Sequence, residues 1–358
     1  MKILIDIGHP AHIHYFKNAT KILQRQGYEF LYVVRERDST IELIETTGFK
    51  YVSRGTGGKG AINKIFMIPI IDYRLWKIAK KFKPDLFLSF SSLYAAHVSR
   101  IMGKPHIAFD DTEHAKYSHL LCRPFTDVTL TTSCYYAPLT KDQIMFDGYM
   151  ELCHLHPNHF KSNPEIRAVL GLKEDERYCV LRFISWDANH DIGQHGFSLD
   201  DKRKIVQELE KKCKVFISSE TSLSPDLLKY RLNIHPAQLH DVLAEASLYI
   251  GEGSTTASEA AVLGTPAIYC NSLRVGLMDD EEKFGLVYQV MGADKIIKKA
   301  NELLSTPENE FKKRQKIMLS HKIDVTAFMV WFIQNYPESL TIMRKNPDIQ
   351  RDFKYINS

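Results

Sequence analysis

Two successive runs of alternating strand and helix predict an α/β protein built from two doubly wound parallel sheets. Three observations carry the expectation. Short apolar runs alternate with amphipathic segments along the chain, and the pattern pauses around His154–Pro164 and then restarts. The length of 358 residues, with 44% hydrophobic and 25% charged content, is comfortable for two cores.

In the first half, strands are expected at Lys2–Ile7, Phe30–Val34, Tyr51–Val52, Asp85–Phe90, His106–Phe109 and Val128–Thr131. Helices are expected at Tyr15–Gln26, ended by Gly27, at Thr40–Thr47, ended by Gly48, and at Leu93–Met102. In the second half, Tyr178–Ile184, Val215–Ser218, Leu248–Gly251, Pro266–Cys270 and Leu286–Val290 read as strands with helical segments between them. From Val325 onward the apolar residues Phe328, Val330, Trp331 and Phe332 mark a helical tail. The expected division is residues 1–158, residues 159–324 and a helical segment 325–358.

Composition excludes several classes. A net charge of +4 is too small to argue for nucleic acid, and no nucleic-acid-binding motif is present. The six cysteines (122, 134, 153, 179, 213, 270) are scattered and read as reduced thiols, not as a zinc site or disulfide frame. The chain enters a strand directly at Met1–Asp6, so no signal peptide is expected. No apolar run approaches the ~20 residues of a membrane span. The expectation is a cytoplasmic protein, or one peripheral on the inner face of the membrane.

The most informative stretch is Glu252-Gly253-Ser254-Thr255-Thr256-Ala257-Ser258-Glu259, followed by Leu263-Gly264-Thr265-Pro266 and flanked by apolar runs. A helix that opens on Gly-Ser-Thr-Thr offers free backbone N–H groups, hydroxyls and the positive end of its dipole, which suits a diphosphate. The same residues also serve an ordinary strand-to-helix turn with an N-cap. Glu259, one and a half turns in, is placed to accept from a ribose diol.

At the end of the first strand, Gly8-His9-Pro10-Ala11-His12-Ile13-His14 puts three histidines where α/β sheets bind ligands. Their spacing admits a metal, but no cysteine accompanies them, and neither metal nor cofactor is expected. After another strand, Asp110-Asp111-Thr112-Glu113-His114 crowds three carboxylates, which suits acceptor-sugar binding or an acid/base pair. A capped helix start uses the same residue types. Arg182 can neutralise phosphate or close a strand-edge ion pair. Beyond it, Ser185-Trp186-Asp187-Ala188-Asn189-His190-Asp191 suits a sugar or nucleotide face. His154, His156 and His159 read as hinge packing. The segment Lys59–Lys83 mixes Ile65, Phe66, Ile70 and Trp76 with Arg74, Lys77, Lys80 and Lys81. It suits an anionic membrane surface, or a buried helix with a solvated basic face.

The stretch Gly253–Pro266 resembles the nucleotide-sugar-binding signature of GT-B glycosyltransferases, and in texture the lipid-linked peptidoglycan N-acetylglucosaminyltransferases. The resemblance implies a GT-B fold of two Rossmann-like domains facing a cleft, with a C-terminal helix crossing back to the first. It also implies that Gly253 and Thr256 contact the diphosphate and Glu259 the ribose. His235-Pro236-Ala237-Gln238 resembles the segment that packs on uracil, and Asp279 and Asp280 fall where donor-sugar hydroxyls are held. The histidine loop is similar in position to the glycine-rich first loop of inverting members, which implies His12, with His14 as runner-up, as base on the acceptor hydroxyl. Pro10-Ala11 departs from the glycines usual there. An imidazole near its ordinary pKa of ~6.5 suits such proton abstraction.

Asp110–Ala115 resembles the His-x-Glu-Ala segment of UDP-N-acetylglucosamine 2-epimerases, which share the fold, and implies an acid/base role for Glu113. Those enzymes carry further carboxylates on neighbouring loops. Here Ser91-Ser92-Leu93 and Leu120–Pro124 have none, which weighs toward transfer. Taken together, the chain resembles a GT-B-like group of unknown function found with bacterial and archaeal surface-polysaccharide enzymes. The expected function is therefore an inverting, metal-independent glycosyltransferase using a UDP-type nucleotide sugar and a glycan or lipid-linked acceptor. A 2-epimerase, or a nucleotide-sugar-binding protein without catalysis, is the alternative.

Overall fold

Strands such as Lys2–Ile7 and Val128–Thr132 are buried on both faces, as helices covering both sides of a parallel sheet require. The computed structural model describes residues 1–37, 39–58, 61–138, 140–184, 197–220 and 222–354, without the side chains at 61, 62 and 64. The chain divides into two units, Met1–His154 with Lys322–Ser358, and Leu155–His321.

The first unit contains β1 (Lys2–Ile7), α1 (Pro10–Arg25), β2 (Glu29–Val34), α2 (Thr40–Thr47), β3 (Tyr51–Ser53) and α3 (Ala61–Phe82). It continues through β4 (Leu86–Phe90), α4 (Leu93–Met102), β5 (His106–Asp110), α5 (Lys116–Cys122), β6 (Val128–Thr132) and β7 (Gln143–Phe146). All strands are parallel, in the order β3-β2-β1-β4-β5-β6-β7. The order reverses between β1 and β4, so the crevice beyond their carboxyl ends is the natural ligand position. The edge strand β7 has no counterpart in the sequence reading, because Gln143-Ile144-Met145-Phe146 alternates over only four residues.

Helix α1 corrects an expectation. It starts at Pro10, not at Tyr15, so His12 and His14 lie on a helix and not in a loop. Proline fits a first helical position because its missing N–H would be unpartnered there anyway. His9 is the N-cap, and its Nδ1 accepts from the Ala11 N–H at 3.3 Å.

The single turn α6 (Leu152–Leu155) leads into the second unit, which opens with a second single turn, α7 (Ile166–Val169). It contains β8 (Tyr178–Phe183), α8 (Leu199–Leu209), β9 (Lys214–Ser219), α9 (Leu239–Ala244), β10 (Leu248–Gly251), α10 (Ser254–Val262) and β11 (Ala267–Tyr269). Then come α11 (Gly276–Lys283), β12 (Val287–Gln289), α12 (Ala293–Ser305) and α13 (Glu308–His321). Its parallel order β12-β11-β10-β8-β9 reverses between β8 and β10. The core packs Leu181, Ile217, Leu248, Ile250 and Ile268 against Ile205, Leu209, Ile296 and Phe311.

The chain then returns to the first unit with α14 (Val325–Gln334) and α15 (Glu338–Lys345). Asp324 caps α14 by accepting from the Ala327 N–H. Thr326 donates to the Cys153 carbonyl at 2.6 Å, Asn18 of α1 donates to that same carbonyl at 3.0 Å, and Phe328 stacks on Phe146.

Candidate functional site

In the second unit the switch point is occupied by the turn from β10 into α10. Gly253 is the N-cap, with φ −93° and ψ 129°, and makes no side-chain cap bond. The first amide groups of α10 therefore keep their donor capacity at the positive end of the helix dipole. Ser254 and Thr255 are half-buried beside them, whereas Thr256 is buried. A Cβ on Gly251 would lie 2.1 Å from the Tyr249 hydroxyl, so glycine there allows the phenol to fold back under the turn.

Glu252 is 1% exposed and bridges the turn to its neighbours. Its carboxylate accepts from the Ile184 N–H at 3.1 Å and from the Phe197 N–H at 2.8 Å. One side chain thereby holds both ends of the segment between β8 and α8. Ser185 and the residues through Asp191 lie outside the described residues.

The other expected nucleotide-sugar contacts have local partners. Glu259 is 5% exposed and accepts from His240 Nε2 at 2.9 Å, so its carboxylate is engaged inside the unit. Arg182 donates to Ser218 at 2.7 Å and to Glu220 at 2.8 Å, a strand-edge ion pair. His235 and Gln238 form a capping box on the short helical turn Pro236–Gln238. Asp279 accepts from Arg274 at 2.7 Å and from Gln289 at 2.9 Å, while Asp280 accepts from Lys283 at 3.1 Å.

In the first unit, His12 sits in the first turn of α1, at the β1–β4 switch point. Its ring lies 4.6 Å from that of Phe90 and 6.1 Å from that of Tyr15. Its Nδ1 is buried with no hydrogen-bond partner among the described residues. Burial, reinforced by the neighbouring His9 and Arg54, holds its pKa well below the ordinary histidine value. The shift favours the neutral imidazole. His14 is instead engaged by Lys17 Nζ at 3.2 Å and stacked on His154 at 5.1 Å.

Asp110 is the last residue of β5 and fully buried; its Oδ2 lies 2.7 Å from His119 Nε2 and 3.6 Å from Arg123 Nη2. These two cationic-type side chains are its near neighbours inside the unit. Asp111 differs. Burial, with Asp110 and Glu113 adding negative charge, pushes its carboxyl up to about 7. Glu113 is 5% exposed beside it. Asp111 and Glu113 follow the carboxyl end of β5, with β4 between them and the His12 strand.

Four participants were not legible beforehand. Asp6 is fully buried at the end of β1 and binds Arg54 Nε at 2.7 Å, Arg54 Nη2 at 3.3 Å and Ser92 Oγ at 2.5 Å. Arg54 and Ser92 come from the ends of β3 and β4, and Ser91, left-handed at φ 42°, turns Ser92 to cap α4. The fourth is His240. A lone acid inside an apolar strand, Lys2-Ile3-Leu4-Ile5-Asp6-Ile7, is a sequence signal for a buried cation partner.

Two switch-point sheets of this kind define the GT-B fold class. The chain spans 95% of its length with S. aureus MnaA solved with UDP, covering 98% of that chain at TM-score 0.67 and 13% identity. It is similar to the UDP-GlcNAc 2-epimerase of Neisseria meningitidis bound to UDP-GlcNAc, at TM-score 0.64 and 15% identity over 95% of this chain and 100% of that one. The glycotransferase of kitacinnamycin matches at TM-score 0.62 and 12% identity, over 93% and 98%. At these identities the likeness shows the fold. The chain belongs to the family described as a protein family of unknown function, DUF354, which matches residues 1–338. An uncharacterized protein of Methanocaldococcus jannaschii is 22% identical over 289 residues, 75% of this chain and 82% of that relative.

Proposed function

We propose that this protein is an inverting glycosyltransferase that uses a UDP-sugar donor in surface-polysaccharide assembly. The carrying observation is the uncapped N-terminus of α10 at the switch point of the second unit's sheet. Gly253, Ser254, Thr255 and Thr256 take the diphosphate through N–H groups and hydroxyls, and the same donors stabilise the charge that develops as it leaves. The turn at His235–Gln238 supports the base. Asp279 and Asp280 select the donor sugar; their partners Arg274 and Lys283 are 78% and 72% exposed. Glu259 acts as a positioning residue through His240.

The first unit supplies the proton transfer. His12 takes the proton of an acceptor hydroxyl, the oxygen attacks the anomeric carbon, and the bond to the diphosphate breaks. The acceptor is a glycan or a lipid-linked sugar. A contact with an anionic membrane surface is supported by α3, where Ile65, Phe66, Ile70 and Tyr73 are 65%, 72%, 45% and 61% exposed beside Arg74, Lys77, Lys80 and Lys81. No helix among the described residues is long and apolar enough to cross a membrane.

One observation favours a second reading, a nucleotide-sugar 2-epimerase. A carboxyl that titrates at about 7 beside a second carboxylate, as at Asp111 and Glu113, suits acid/base chemistry on a sugar ring. Turnover separates the readings. A transferase releases UDP in proportion to glycosylated acceptor, an epimerase acts without an acceptor, and a binding protein does neither. His12→Ala should abolish transfer and spare UDP binding. Unchanged activity in that variant would remove His12 from the reaction.

A further inference from the structure

Beyond β3 the chain reads Arg54-Gly55-Thr56-Gly57-Gly58. Two guanidinium groups from different elements lie against its glycines, and Arg54 itself opens it. A Cβ on Gly57 would lie 2.9 Å from Arg35 Nη2 and 3.0 Å from Arg35 Cζ and Nε. A Cβ on Gly55 would lie 2.9 Å from Arg74 Nη1, which itself donates to the Arg54 carbonyl at 3.3 Å. Arg35 follows β2, Arg54 follows β3, and Arg74 reaches over from α3. The glycines keep the backbone open to these groups, and Gly55 is left-handed at φ 82°.

Arg54 adds an independent observation. It is 4% exposed, with its Cζ 4.7 Å from the Tyr94 ring. Its Nε and Nη2 are engaged by Asp6, while Nη1 is buried with no acceptor among the described residues. A buried guanidinium N–H without an acceptor is unfavourable, and an anionic oxygen would relieve it. Glu36 is turned to the Ser53 hydroxyl at 2.5 Å, and Asp72 to His97 at 2.9 Å.

We infer that Arg35, Arg54 and Arg74, with the Gly55–Gly58 loop, form an anion subsite on the first unit that takes a phosphate or diphosphate group of the acceptor. Planar guanidinium forks around a glycine-rich loop suit tetrahedral phosphate oxygens. The subsite lies at the ends of β2 and β3, beside the β1 end that carries His12, so the anion is bound next to the proposed base. The assignment to the acceptor rests on the transferase reading; the anion site itself does not.

The test is calorimetric titration of inorganic pyrophosphate into the full-length protein already saturated with UDP, which blocks the α10 turn. Pyrophosphate should bind, and Arg35→Gln should weaken it by about tenfold or more with UDP affinity unchanged. Gly57→Ala, which pushes a methyl group against the Arg35 guanidinium, should do the same without removing a charge, and Arg37→Gln should have no effect. Absent pyrophosphate binding, or equal binding in Arg35→Gln and Gly57→Ala, overturns the subsite while leaving the donor reading intact. If UDP itself fails to bind, the transferase reading falls and the subsite is judged by the same variants without UDP. Displacement by farnesyl diphosphate supports a lipid-linked source of the phosphate, and displacement by glucose 1-phosphate a soluble one. Displacement by neither overturns the acceptor assignment.

Discussion

The His240 imidazole and the Glu259 carboxylate meet at 2.9 Å with both side chains 6% exposed, joining α9 to the middle of α10. A pair so placed fixes the helix whose N-terminus is proposed to hold the diphosphate. Removing one partner leaves the other buried and incompletely satisfied, at a cost of about 1–3 kcal/mol. His240→Ala should therefore lower the urea midpoint and weaken UDP binding together. A variant that binds UDP as the parent does would show that the pair is structural only.

His12 is held neutral by its surroundings, so the acid limb of kcat/KM should not fall at the ordinary histidine value of ~6.5. Because its pKa is lowered on folding, the associated stability is complete above ~6.5 and is lost as pH falls toward the folded value. His106, which burial pushes down to about 3, has the same sign, and its contribution is lost over the interval down to about 3. His12→Gln should cost about 100-fold or more in turnover if the imidazole is the base. A pH–rate profile with an acid limb at ~6.5 that persists in His12→Gln would assign that limb to another group.

Asp111 has the opposite sign. Its carboxyl is raised to about 7 on folding, so its favourable contribution is present below the unfolded value and lost as pH rises through about 7. Asp111→Asn should therefore gain more stability relative to the parent at pH 8 than at pH 5, as read by thermal melting. Equal shifts at both pH values would contradict the raised carboxyl. In a transferase the substitution should leave UDP release measurable, whereas in an epimerase it should abolish turnover.

Glu252 joins the Ile184 and Phe197 amides to one carboxylate. Glu252→Ala should accelerate hydrogen exchange at both amides and weaken nucleotide binding by about tenfold, since each bond to a charged acceptor is worth about 1.5–3 kcal/mol. Unaltered exchange at both positions would remove the proposed tether.

Most strands were legible because parallel strands buried on both faces leave continuous apolar runs, as in Lys2–Ile7 and Leu248–Gly251. The α10 turn was legible as a strand-to-helix turn for a similar reason, since small residues stand between two such runs. Helix α1 was misread at its start because His9-Pro10-Ala11 resembles a turn, although proline at N1 begins helices well. The partners were less legible. Nothing local to Asp6 announces Arg54, 48 residues away, and nothing local to Glu259 announces His240, 19 residues away. Such pairs are set by sheet order and helix packing, as are Arg182 with Glu220 and Asp110 with His119.

Calorimetric titration of UDP, GDP, CDP and TDP and their sugars into the parent protein and Thr255→Val tests the donor assignment most directly. The account predicts UDP-selective binding that falls by about tenfold when the Thr255 hydroxyl is removed, the loss of one bond to an anion. Flat titrations for every nucleotide would reduce the α10 turn to a structural feature, and the glycosyltransferase reading would fall with it.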